Sequence, residues 1–224
     1  MKPLLSVAGE EALVALFQAD PLIALDFDGT LSPMVTLPWQ ARMPAGVASG
    51  MRMLSEMLPV AIITGRSVED VTPRLPAIPK YVIGNHGAEG VPGDEGNAAM
   101  YRAVCEGWML QIRDDLRWES LDPGLMIEHK PTSICVHYRL LRDRLGAARR
   151  IEESLVQLDP APLVIGGMHG INLLPPGAPT KRAALEALLR IEEKVAAIYI
   201  GDDETDEAVF RDAPPEWLTV RVGP

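Results

Sequence analysis

Cysteine is almost missing from this chain: Cys105 and Cys135 are the only two in 224 residues. Two thiols make neither a disulfide framework nor a thiolate metal cluster. They read as reduced core residues of a cytoplasmic protein. Long apolar runs are missing as well. No stretch approaches the ~20 residues that a bilayer-spanning helix needs. Glu10 and Glu11 cut the opening Leu4, Leu5 and Val7 too early for a secretory signal. Lysine is scarce, with five in all: Lys2, Lys80, Lys130, Lys181 and Lys194. A net charge of −10 argues against nucleic acid or an anionic membrane as partner. An anionic substrate would then need a locally positive site, built from a few placed cations or a metal. There is no solenoid repeat and no low-complexity tract. With 47% hydrophobic and 23% charged residues, what remains is a soluble globular chain. It is long enough for one large domain or for a core with an inserted module.

Apolar spacing predicts a helix over 10–18, a buried strand over 22–27, a helix over 44–57 and a second buried strand over 60–63. Ser67 followed by Asp70 makes a capping box for a short helix, and 81–83 is a third strand. Strands alternating with helices imply a doubly wound, Rossmann-like parallel sheet. Near residue 88 the rhythm changes. A helix over 98–118, strands over 126–128 and 133–138, and a helix over 142–158 follow. A hairpin of 163–165 and 171–174 then turns near His169. After Pro175-Pro176-Gly177 the first rhythm returns, with helices over 180–191 and 204–211 and strands over 196–200 and 217–222. The fold class is therefore α/β. A discontinuous core of residues 1–89 and 176–224 carries an inserted α+β module, 90–175.

Chemistry gathers at the expected strand ends, where open parallel sheets bind ligands. Asp26-Phe27-Asp28-Gly29-Thr30 directly follows the apolar run Leu22–Leu25. On a strand, residues two apart share a side, so Asp26 and Asp28 converge on one point. Thr64 ends the second strand; Asp202, Asp203 and Asp206 follow the strand over 196–200. Carboxylates crowded in an acidic chain call for a cation. Without thiolate or imidazole among them, a hard oxygen-liganded ion such as Mg²⁺ is expected rather than zinc. A carboxylate can attack phosphorus to give an aspartyl-phosphate that water later opens. Asp26, first off the strand, is the expected nucleophile. Asp28 would protonate the leaving oxygen and later take a proton from water. Thr64 offers a hydroxyl to a phosphoryl oxygen, and Lys181 neutralises charge on Asp26 and the transferring group.

These motifs resemble the haloacid dehalogenase superfamily: Asp26–Leu31, Thr64-Gly65-Arg66, Lys181 and Gly201–Glu207, in that order. Within it the chain looks like the trehalose-6-phosphate phosphatase family. The stretches that carry this are 28–33, 84–89, Glu128-His129-Lys130 with Ser133, and His137-Tyr138-Arg139. The resemblance implies that Asp26, Asp202 and the main-chain carbonyl of Asp28 hold Mg²⁺, with Asp203 and Asp206 in or next to that shell. It makes the inserted module a cap that reads a phosphorylated disaccharide, and a trehalose-phosphate synthase the partner protein to look for. Thr30, Arg66 and His86 would join the substrate site from the core, Arg66 as a phosphate or helix-cap residue and His86 near the core-to-cap hinge.

On the cap, Glu128 and Lys130 lie two apart on one strand, and an opposite-charge pair suits sugar hydroxyls; a surface salt bridge is the plainer reading. His137 and Arg139 match the family motif and suit a structural role equally well. Asn172 stands where the family places a sugar-binding glutamate, and its amide forms weaker bonds to hydroxyls than a carboxylate does. The loop before Lys181 is one residue longer than usual, and Arg182 replaces a glycine. The leading expectation is thus a Mg²⁺-dependent phosphatase of trehalose 6-phosphate. Two others stay open: a phosphatase of the same fold for a different sugar or glycosyl phosphate, and a silent regulatory domain that binds a sugar phosphate.

Overall fold

The computed structural model describes residues 3–35, 37–114, 124–167 and 170–223. In chain order come α1 (Val7–Gln18), β1 (Leu22–Leu25), α2 (Ala45–Met57) and β2 (Val60–Ile63). Then α3 (Val68–Val71), β3 (Tyr81–Ile83), α4 (Glu95–Asp114), β4 (Met126–Lys130) and β5 (Ser133–His137) follow. Next are α5 (Arg144–Leu155), β6 (Leu163–Gly167) and β7 (Gly170–Leu174). The chain closes with α6 (Lys181–Ile191), β8 (Ala197–Gly201), α7 (Glu207–Phe210) and β9 (Trp217–Arg221). The α/β, doubly wound character read from the sequence is what the chain adopts. The expected helix end at 115–118 and the turn at His169 lie outside the described residues.

Two compact units divide the chain: Met1–Val91 with Pro179–Pro224, and Pro92–Ala178. The first holds a five-stranded sheet in the order β3-β2-β1-β8-β9, every pair parallel. Its inner strands are apolar on both faces, as a covered parallel sheet requires. Leu22, Ala24, Ala61, Ile63, Ala197 and Tyr199 face one core, completed by Leu185 and Leu188 of α6. Ile23, Leu25, Val60, Ile62 and Ile198 face the other, with Met51 of α2 and, partly buried, Leu13 and Leu16 of α1. Each fully buried leucine or isoleucine contributes about 1.5–3 kcal/mol. The strand order reverses between β1 and β8, so their carboxyl ends meet at the switch point, where open parallel sheets bind ligands.

One local expectation needs correcting. Strand β1 ends at Leu25, not at Phe27. The Asp26 amide still donates to Ile200 (2.9 Å), but the Phe27 carbonyl accepts from Leu31 and Ser32 and closes a loop on itself. Asp28 therefore sits in a turn, and the same-side rule for strands does not place its side chain.

The second unit holds an antiparallel sheet in the order β4-β5-β7-β6. Ile134, Val136, Ile171 and Leu173 bury one face against Cys105, Trp108 and Ile112 of α4 and Ile151 and Leu155 of α5. Trp108 lies fully inside and donates its indole N–H to the Pro160 carbonyl at 2.7 Å. The strand alternation puts Glu128, Lys130, Ser133, Cys135, His137 and Asn172 on the opposite face, with Glu128 and Asn172 both in register with Cys135.

Candidate active site

Asp26, Asp202 and Asp206 bring carboxylate oxygens within 4.8 Å of one another at the carboxyl ends of β1 and β8. The turns that place them depend on two glycines. Gly29 has φ +84°, and a Cβ there would fall 1.9 Å from Asp202 Oδ2. A Cβ on Gly201 would lie 2.4 Å from the Asp206 carboxyl carbon. Into this acidic corner α6 delivers Lys181, its first residue, behind the N-cap Thr180. An ammonium is ill placed at a helix N-terminus, and here two carboxylates offset that cost. Lys181 Nζ lies 2.9 Å from Asp26 Oδ1 and 2.7 Å from Asp206 Oδ1, with all three residues buried.

Asp206 has no acceptor position to spare. Lys181 and the Tyr199 hydroxyl donate to Oδ1, while the amides of Asp202 and Asp203 donate to Oδ2. Four bonds fill the capacity of a carboxylate. Burial pushes Asp206 up, but the charge of Lys181 and the bonds from Lys181, Tyr199 and Asp203 outweigh it and hold the group below the usual range. The other two acids go the opposite way. Burial, opposed by Lys181 and reinforced by Asp206, raises Asp26 to about 7. Burial and the neighbouring Asp206 and Asp203 raise Asp202 to about 6. Three carboxylates share one ammonium, so a divalent cation would offset the excess charge. An all-oxygen donor set suits a hard ion. Thr30 Oγ1 donates to Asp202 Oδ1 at 3.3 Å and joins this group.

Asp28 is elsewhere. Its carboxylate takes a two-pronged bond from Arg66, Nε to Oδ2 at 2.6 Å and Nη2 to Oδ1 at 2.7 Å. Arg66 also donates to Asp70 (2.5 Å) and to the Pro38 carbonyl (2.9 Å), which engages four of its five N–H groups inside the protein. Its guanidinium sits 5.5 Å above the Phe27 ring. Sequence reasoning missed Asp70 and Tyr199; neither belongs to a motif read as chemical. Asp203 does not join the cluster either: its side chain caps the turn over Glu204–Asp206.

Thr64 follows β2, buried, and its hydroxyl oxygen accepts the Arg66 amide at 3.2 Å. The His86 amide donates to the Thr64 carbonyl, and the His86 ring packs where a Gly65 side chain would be. His86 itself holds φ 59°.

In the second unit, His137 Nε2 is 2.8 Å from Glu128 Oε2, and Lys130 Nζ is 3.8 Å from the same oxygen. Asn172 is buried on that face. Arg139 lies past the end of β5, half-buried, its carbonyl accepting from Arg144 Nε at 3.2 Å. Both cysteines are free and buried. Cys105 is a core thiol as expected, whereas Cys135 faces the polar side, its Sγ 3.8 Å from His137 Nδ1. The two-residue spacing to His137 was the signal for it.

The sequence profile of the Trehalose-phosphatase family matches residues 24–219. The chain belongs to the trehalose-phosphatase family. A trehalose-phosphate phosphatase of Mycobacterium marinum is 34% identical over 231 residues, covering 95% of this chain and 58% of that protein. The chain thus spans little more than half the length of the curated relatives it matches. A solved trehalose-6-phosphate phosphatase related protein aligns with TM-score 0.72 at 31% identity, over 91% of this chain and 86% of that one. The C-terminal domain of a Candida albicans trehalose-6-phosphate phosphatase shares the fold, with TM-score 0.73 at 24% identity over 90% of this chain and 76% of that one. Within the described residues no helix is long and apolar enough to cross a membrane.

Proposed function

We propose that the chain is a Mg²⁺-dependent phosphatase that hydrolyses trehalose 6-phosphate through an aspartyl-phosphate on Asp26. The observation that carries the reading is the bond of Lys181 to Asp26 within a cluster of three carboxylates, in a chain of this family. Asp26 and Asp202 would hold Mg²⁺, which when bound offsets charge on the phosphoryl group and its acceptor.

Asp26 attacks phosphorus, and the bond from phosphorus to the sugar oxygen breaks. Asp28, which must first leave the Arg66 fork and take up a proton from solvent, would give that oxygen its proton. Water then attacks the phosphorus of the acyl-phosphate and yields its proton to Asp28, and the bond to Asp26 breaks. Lys181 keeps Asp26 oriented and compensates charge as it builds. Thr64 supplies a hydroxyl to a phosphoryl oxygen, and Thr30 steadies Asp202. Arg66, spent on Asp28 and Asp70, acts as a positioning residue rather than a phosphate ligand. Asp206 likewise holds Lys181 and the Asp202–Asp203 turn instead of binding the metal directly. His86 supports the Thr64–Arg66 turn.

The polar face of the second unit, with Glu128, Lys130, His137, Arg139 and Asn172, would read the sugar. Asn172 favours a second reading, a phosphatase of the same chemistry for another sugar phosphate. Phosphate release with Mg²⁺ from trehalose 6-phosphate, beside sucrose 6-phosphate, glucose 6-phosphate and an aryl phosphate, tests both. A kcat/KM for trehalose 6-phosphate no higher than for its competitors would overturn the first reading.

A further inference from the structure

Among the described residues, the second unit carries one more group of mixed donors, which shares no residue with the carboxylate cluster. Glu128, Cys135 and His137 hold a carboxylate oxygen, a thiol sulfur and an imidazole nitrogen within 4.8 Å of one another. The three lie on one sheet face because Cys135 and His137 are two apart on β5 and Glu128 faces Cys135 from β4. We propose that Cys135 and His137, backed by Glu128, form a binding site for a borderline-soft divalent cation of the Zn²⁺ kind.

Three observations support this. Zinc bonds of about 2.3 Å to sulfur and about 2.0–2.1 Å to nitrogen, at a tetrahedral angle, put the two donors about 3.5 Å apart. Cys135 Sγ and His137 Nδ1 are 3.8 Å apart. The other ring nitrogen, Nε2, is 2.8 Å from Glu128 Oε2. A carboxylate behind a ligating histidine fixes the ring and aims the far nitrogen, whose proton the metal displaces on binding. Gly170, in register with His137, leaves room beside both donors. A Cβ there would lie 3.3 Å from Sγ and 3.6 Å from Nδ1, in the space next to both. Lys130 is on the same face, its charge offset by Glu128 at 3.8 Å. A thiolate and an imidazole select against Mg²⁺ and for zinc. A bound ion would compete with the substrate; that clause alone rests on the sugar-reading role proposed above for this face.

Co²⁺ serves as the probe, added to the full chain in excess Mg²⁺. One equivalent is expected to give the near-ultraviolet charge-transfer band of a cobalt thiolate, which Zn²⁺ then removes. Cys135→Ser and His137→Gln should weaken binding about 100-fold or more, and Gly170→Ala about tenfold, with circular dichroism confirming each fold. Cys105→Ser should keep the band. A folded wild type without the band, or a band that survives Cys135→Ser, overturns the site. Zn²⁺ should also raise KM for the sugar phosphate in wild type but not in Cys135→Ser. A band with no change in KM would refute the competition and the role of this face in reading sugar, leaving the metal site standing.

Discussion

Lys181 bridges Asp26 and Asp206, 2.9 Å from one and 2.7 Å from the other, tying the turn after β1 to the turn after β8. The ammonium is sealed from solvent, so its removal leaves buried carboxylates without their counter-charge. Burial pulls the Lys181 pKa down, but Asp26 and Asp206 outweigh it and hold the amine protonated far above neutral pH.

Lys181→Met should therefore cost about 3–5 kcal/mol of stability in the absence of metal. Turnover should fall by about two orders of magnitude or more, the size of effect seen when one preorganised donor is lost. Thermal melting with EDTA and with Mg²⁺ checks this: Mg²⁺ should restore part of the lost stability without restoring activity. Equal melting of variant and wild type in EDTA would contradict the role given to the bridge.

The proposed mechanism gives Asp202 and Asp206 two different jobs. Asp202→Asn should weaken Mg²⁺ binding about tenfold or more, since an amide is a poor ligand for a hard ion. Asp206→Asn should chiefly lower stability and kcat, because the amide nitrogen meets donors wherever it points. Calorimetric Mg²⁺ titration of both variants decides it. If Asp206→Asn weakened Mg²⁺ more than Asp202→Asn, Asp206 would be a direct ligand.

Arg66→Lys keeps the charge but loses the fork that grips Asp28. Charge-assisted bonds worth about 1.5–3 kcal/mol are at stake, so kcat should fall about 10- to 100-fold with little change in KM. A rise in KM at constant kcat would mean instead that Arg66 binds phosphate in the ground state.

The layered core was legible because buried strands read as short apolar runs such as Leu22–Leu25 and Val60–Ile63, and α6 shows its buried positions at helical spacing. The cluster of Asp26, Lys181, Asp202 and Asp206 was legible for the same reason: each follows a strand or opens a helix, so topology alone gathers them. Asp28 was not. Its placement depends on how the turn at Gly29 closes and on a salt bridge to Arg66, far off in sequence, which no local pattern announces. Tyr199 escaped because on β8 it reads as core, and only its hydroxyl reaches Asp206. Cys135 escaped because a buried cysteine in a strand is ordinarily apolar filling, and its neighbour on β4 is set by sheet register.

His137 offers a titration that needs no substrate. Burial pulls its imidazolium down, but Cys135 and Glu128 outweigh that and push it from the ordinary 6.5 up to about 9. A raised folded pKa means that its contribution to stability is complete below about 6.5 and is lost as pH rises through about 9. Glu128→Gln removes the carboxylate that favours the imidazolium, so the His137 signal in proton NMR should titrate closer to neutral and the alkaline loss should be smaller and finish at a lower pH. An unchanged titration would show that Glu128 does not set the charge of His137.

The most direct test of the account is to trap the phosphoryl group on Asp26. Asp28→Asn, which slows hydrolysis of the acyl-phosphate, would be mixed with an activated aryl phosphate and Mg²⁺, then reduced with borohydride, which converts aspartyl-phosphate to homoserine. Mass spectrometry of the peptide containing Leu22–Thr30 should show that conversion at Asp26 and at no other carboxylate, and Asp26→Asn should abolish both label and turnover. Label at another residue, or phosphatase activity within tenfold of wild type in Asp26→Asn, would contradict the account.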